Sequence, residues 1–141
     1  MNTPSNITQE SDSIINLLAA QCADLEKLLL LARQETVAAE LGNFGTILNI
    51  TSERAEISKR LETFQQQIAE LRGFLGKSVD TSNKYNETSN RVAELANQTL
   101  MQDQQTRLFL TAMCEKSSEE LKKLETVNRG TNIYLREQKK G

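Results

Sequence analysis

No proline follows Pro4 in a chain of 141 residues, and this constrains the fold more than any other feature. Proline breaks helix interiors and glycine weakens them, so their positions map possible helix ends. Four of the six glycines form two close pairs, Gly42 with Gly45 and Gly73 with Gly76. The other two are Gly130 and Gly141. Three long stretches are left without a break, roughly 5–41, 44–72 and 80–128.

The first stretch repeats apolar or small residues at Ile15, Leu18, Cys22, Leu25, Leu29, Ala32 and Thr36. Steps alternating between three and four are those of one helix face. Ile14, Leu17, Leu28 and Leu31 widen that face, which suits a helix touching more than one neighbour. Ser11 and Ser13 are candidate N-caps, with Thr3 to Asn6 expected to fray ahead of them. Leu41-Gly42 reads as the stop, and Asn43 as the cap of the next helix.

The second stretch carries the most regular pattern: Ile47, Ile50, Arg54, Ile57, Leu61, Phe64, Ile68, Leu71 and Leu75, with Arg54 its one polar break. Glu56 and Arg60 stand four apart, in the favourable order for a pair on one helix. The third stretch opens near Asp80, Thr81 or Ser82 with a thin seam of Tyr85, Thr88, Val92, Leu95 and Thr99. A richer seam follows: Leu110, Cys114, Ser117, Leu121, Leu124 and Asn128, flanked by Met113 and Val127. Gly130 reads as its stop. The expected fold is all-α: a single helical domain over 1–141, with helices near 11–41, 44–73 and 81–128 and a basic flexible tail at 129–141. Short links make it an antiparallel up-down-up bundle or helical hairpin, with helix three running back along helix two.

Composition excludes several functions. There is no histidine, so the commonest general base and metal ligand are both missing. The Glu-x-x-His pairs of helical di-metal sites cannot be written here. Cys22 and Cys114 stand far apart and form no zinc set; two buried thiols of a reduced intracellular protein is the plain account. Gly76-Lys77-Ser78 lacks the earlier glycine and preceding strand of a phosphate-binding loop. Net charge of −2 offers no field for nucleic acid. No run approaches the ~18–20 apolar residues of a membrane span, and no basic leader precedes an apolar core. The expectation is a cytoplasmic protein that is not an enzyme, binds no cofactor or metal and makes no stable membrane insertion.

Unequal lengths supply the functional clue. At ~1.5 Å per residue the three stretches measure about 55, 44 and 74 Å. Beyond Phe109 the third helix has outrun both partners, yet its seam continues over 110–128. An unpaired amphipathic helix is marginal in water, so that stripe must fold back, meet a second copy or meet another protein. Burying Leu110, Met113, Leu121, Leu124 and Val127 would contribute very roughly 8–12 kcal/mol gross, at ~1.5–3 kcal/mol each. Together with Cys114 these are the candidate partner-binding residues, for helix-on-helix recognition.

Three short stretches resemble the FlgN family of flagellar export chaperones. Leu41-Gly42-Asn43-Phe44 is similar to that family's break between helices. Ile50-Thr51-Ser52-Glu53-Arg54-Ala55-Glu56-Ile57 is similar to its Leu/Ile-Thr-x-Glu-Lys/Arg-x-x-Leu stretch. Gly130-Thr131-Asn132-Ile133-Tyr134 is similar to its Thr-x-Tyr-Gly close, although Leu135 stands here where the family has glycine. The resemblance implies a cytoplasmic chaperone that binds the C-terminal helical regions of the hook–filament junction proteins. Such a chaperone prevents their early association and delivers them to the export apparatus. It also implies capture through 110–128 and docking on an export-gate component through Tyr134. The alternative is a non-enzymatic coiled-coil adaptor, a homo-oligomer joined through the same C-terminal seam.

Overall fold

The computed structural model describes residues 4–75 and 83–140, and all three expected helices are there. They are α1 (Pro4–Leu41), α2 (Phe44–Leu75) and α3 (Asn83–Lys140). The architecture is all-α, with α2 antiparallel to α1 and α3 parallel to α1, as the pairing of buried residues requires.

The wide apolar face makes α1 the central helix. Ile14, Ile15 and Leu18 pack with Ile68 of α2 and Tyr85 of α3. Leu25 and Leu29 enclose Leu95, and Leu31 meets Ile50 and Ile57. Every described member of the even seam on α2 is at least half-buried, from Ile47 to Leu71. The expected neighbour relation between α2 and α3 is different in the structure. Among the described residues, no Cα atom of α2 comes within 8 Å of one in α3, and each packs on α1 instead. The reason is supply: α2 owns one apolar stripe and spends it on α1, whereas α1 has surface for two helices.

The α1–α2 turn follows the sequence closely. Gly42 takes φ 71°. Its N–H donates to the Ala39 carbonyl at 3.2 Å, and the Asn43 N–H to the Ala38 carbonyl at 2.8 Å. This paired closure satisfies carbonyls that a helix end leaves open, and glycine adopts the left-handed conformation without strain. Asn43 caps α2, its Oδ1 accepting from the Thr46 N–H at 3.2 Å.

Helix ends differ from expectation in three places. Helix α1 begins at Pro4, seven residues before the expected start at 11, because proline's fixed φ suits a first turn. Helix α2 passes through Gly73 to Leu75. Helix α3 runs straight through Gly130 to Lys140, so the expected stop and flexible tail at 129–140 are helix instead. Nothing lies within 4 Å of a Cβ built at Gly130, and φ there is not positive. One interior glycine costs only about 1 kcal/mol against alanine, which a long helix without proline tolerates. The Gly76-Lys77-Ser78 run and the candidate caps Asp80 to Ser82 lie outside the described residues.

Candidate interaction surface

Arg54, the polar break in the α2 seam, ties the three helices together. Its guanidinium donates to both carboxylate oxygens of Asp103 on α3, each at 2.8 Å, and to Glu35 of α1 at 3.2 Å. The hydrogen bond to Asp103, foremost, together with the two carboxylate charges, raises the Arg54 pKa against the opposing effect of burial. Beside it, Thr36 Oγ1 lies 2.8 Å from Thr106 Oγ1 and 3.0 Å from Gln102 Oε1, joining α1 to α3. A second α2–α3 link sits near the other end, where the Arg72 guanidinium lies 5.1 Å over the Tyr85 ring. Arg60 does not pair with Glu56 but reaches across to Asp24 of α1, at 3.1 and 3.2 Å.

The Arg54 cluster floors a cleft whose outer wall is α3. Glu35, Arg54, Asp103, Arg107, Leu110 and Cys114 all line it. This is where α3 leaves the bundle. The Met113 methyl comes to 3.1 Å from a Cβ built on Gly42, so Met113 packs over the α1–α2 turn. From Cys114 through Thr131 every residue of α3 is exposed.

Of the six residues expected to bind a partner, Leu110 and Met113 are half-buried at the end of the bundle. Cys114 stands exposed at the cleft mouth. Leu121, Leu124 and Val127 are exposed by 61%, 58% and 62%. The overhang therefore starts after Met113 and not at Phe109. From Cys114 to Lys140 it extends about 40 Å, at ~1.5 Å per residue. Tyr134 lies in the helix, but its side chain is outside the described ones.

These residues share a direction. At about 100° per residue, Leu110, Met113, Leu121, Leu124 and Val127 all fall within roughly 60° of Thr106 around α3. Thr106 is buried against α1. The face that packs on α1 thus continues in register past the end of α1, where it carries Leu121, Leu124 and Val127 interleaved with Ser117, Glu120 and Asn128, all exposed.

Sequence reading missed the Arg54–Asp103–Glu35 cluster. A single arginine inside a strict apolar seam was the available signal, since a buried guanidinium needs carboxylates from its neighbours. The cysteines also differ from the expected buried pair. Cys22 is half-buried, and its thiol lies 3.8 Å from the Thr88 carbonyl, whereas Cys114 is exposed. Burial, then the charge of Glu26, pushes the Cys22 thiol pKa up.

Among the described residues, no three metal-ligating side chains converge, and no helix is long and apolar enough to cross a membrane. No family model, curated protein or solved structure matches the chain.

Proposed function

We propose that this chain is a cytoplasmic export chaperone of the FlgN type, which captures an amphipathic client helix on the free face of α3. The observation that carries the reading is the continuation of the α1-packing seam beyond α1. A client helix laid there takes the place that α1 occupies lower down. The clients that the resemblance implies are the C-terminal helical regions of the flagellar hook–filament junction proteins. The same resemblance gives Tyr134 a part in docking on the export gate.

Magnitudes set the extent of the contact. Covering Leu121, Leu124 and Val127, each about three-fifths exposed, contributes about 3–5 kcal/mol gross at ~1.5–3 kcal/mol per full burial. A micromolar complex needs about 8 kcal/mol net of association costs. Three side chains do not reach that. The client must therefore run along the overhang to its root and add contacts at Leu110 and Cys114 in the cleft.

The experiment uses the full chain with Leu121, Leu124 and Val127 all changed to serine. Exposed positions of this kind leave the bundle intact, so helicity and thermal midpoint stay near those of the parent chain. Binding to a purified C-terminal helical segment of a junction protein is expected to fall at least about tenfold, the effect of ~1.4 kcal/mol. Unchanged affinity in a folded variant would remove the free face from the site.

A further inference from the structure

We infer that Glu120 selects the client: the helix captured on the overhang of α3 carries an arginine or lysine within its apolar seam, seated against the Glu120 carboxylate. This selection rests on the capture reading above and gives the chemistry of its partner.

Between Cys114 and Thr131, Glu120 is the one charged residue within about 60° of Thr106 around α3. Every other charged residue there lies about 80° or more away, with Lys116 and Lys123 together on one flank. Gln102 stands eighteen residues before Glu120, five whole turns at about 3.6 residues each, so the two share one direction. Gln102 is half-buried against α1, its Oε1 3.0 Å from Thr36 Oγ1. A helix laid on the overhang as α1 lies on the bundle therefore meets Glu120 where α1 meets Gln102.

A carboxylate in place of that amide changes what the partner must bring. An ionised carboxylate accepts hydrogen bonds and donates none, and once withdrawn from water it needs a positive charge beside it. The lysines of the same helix are poorly placed to supply one. Lys116 stands four residues before Glu120, the unfavourable order, whereas Lys123 stands four after Glu119, the favourable one. Glu120 forms no ion pair among the described residues. The bundle holds the converse arrangement: Arg54 interrupts the apolar seam of α2 and is met by Asp103 and Glu35 from the neighbouring helices. A single charge within a seam rejects helices that cannot pair it and fixes the register of those that can.

The test uses the full chain and two labelled amphipathic peptides, alike except at the central seam position, which is arginine in one and leucine in the other. Binding is read by fluorescence anisotropy at nanomolar peptide. The parent chain should bind the arginine peptide at least about tenfold more tightly, since the leucine peptide leaves a sheltered carboxylate unpaired. Glu120→Leu, at an exposed position, should keep its helicity and reverse that order. Glu120→Lys should weaken capture of a purified junction-protein segment at least about tenfold, and changing one basic residue of the segment to glutamate should restore it.

Equal binding of the two peptides by the parent chain, the same preference in Glu120→Leu, or no rescue by any such charge reversal would overturn the selection and leave capture standing. A parent chain that binds neither the peptides nor the segment would overturn capture, and the selection with it.

Discussion

Replacing Arg54 by alanine tests how a bundle whose outer helices do not pack together is held in register. Arg54 is the only residue among those described whose side chain ion-pairs with both other helices. The wild-type contact consists of two 2.8 Å hydrogen bonds to Asp103 and one of 3.2 Å to Glu35. Charge-assisted bonds of this kind contribute about 1.5–3 kcal/mol apiece when well shielded. Shielding here is partial: the side chains of Arg54, Glu35 and Asp103 are 19%, 14% and 33% exposed. The expected coupling therefore lies between the ~0.2–1 kcal/mol of surface pairs and the ~3–5 kcal/mol of broken buried ones. About 1–2 kcal/mol between Arg54 and Asp103 is the working value. The assay is a double-mutant cycle of Arg54→Ala, Asp103→Ala and both, by urea unfolding followed at 222 nm. Because the pair is half-sheltered, most of the coupling should survive ~0.5 M salt, where the screening length is only a few ångströms. A coupling below about 0.3 kcal/mol, or one abolished by that salt, would show an ordinary surface contact and refute the clasp.

Other outcomes follow from the same structure. Leu95→Ala removes a side chain 1% exposed between Leu25 and Leu29 and should cost ~2–5 kcal/mol in equilibrium unfolding. Gly42→Ala places a Cβ at positive φ and 3.1 Å from the Met113 methyl; a loss of about 1 kcal/mol or more is expected, read as a lower thermal midpoint. With a disulfide reagent near pH 8, Cys114 should react fast and Cys22 slowly, the latter being half-buried with a raised pKa. The raised Cys22 pKa also fixes a sign. The folded state holds that proton more tightly, so any contribution to stability is complete below the ordinary thiol pKa of 9.0 and is lost as pH rises through the folded value. Cys22→Ala should flatten that alkaline decline, measured by unfolding from pH 8 to 10.

The legible parts of this fold were those where one periodicity governs one helix. The seams from Ile15 to Thr36 and from Ile47 to Leu71 are visible as spacing, and packing follows spacing. The turn at Gly42-Asn43 was legible because each residue has a distinct backbone preference. The extra apolar positions Ile14, Leu17, Leu28 and Leu31 indicated two neighbours for α1, and it has two. Sequence did not show that α2 and α3 would both choose α1, since a single stripe does not name its partner. Gly130 misled because a glycine marks a helix end only when something rewards stopping there, and no cap or proline does. At the candidate surface, the seam on α3 was legible but its root was not. Met113 lies over the α1–α2 turn because of how far α3 is shifted along α1, and Thr36, Gln102 and Thr106 set that shift across the two helices.

The exposed overhang of α3 carries the proposed capture of a client, and hydrogen exchange tests that role most directly. The full chain is labelled with and without a C-terminal helical segment of a junction protein. Amides from Cys114 to Thr131 should exchange fast alone, where no tertiary contact shields them, and slow markedly on adding the segment. Those of α1 and α2 should change little. Protection gained on the outer faces of α1 or α2, with 114–131 unchanged, would contradict the account.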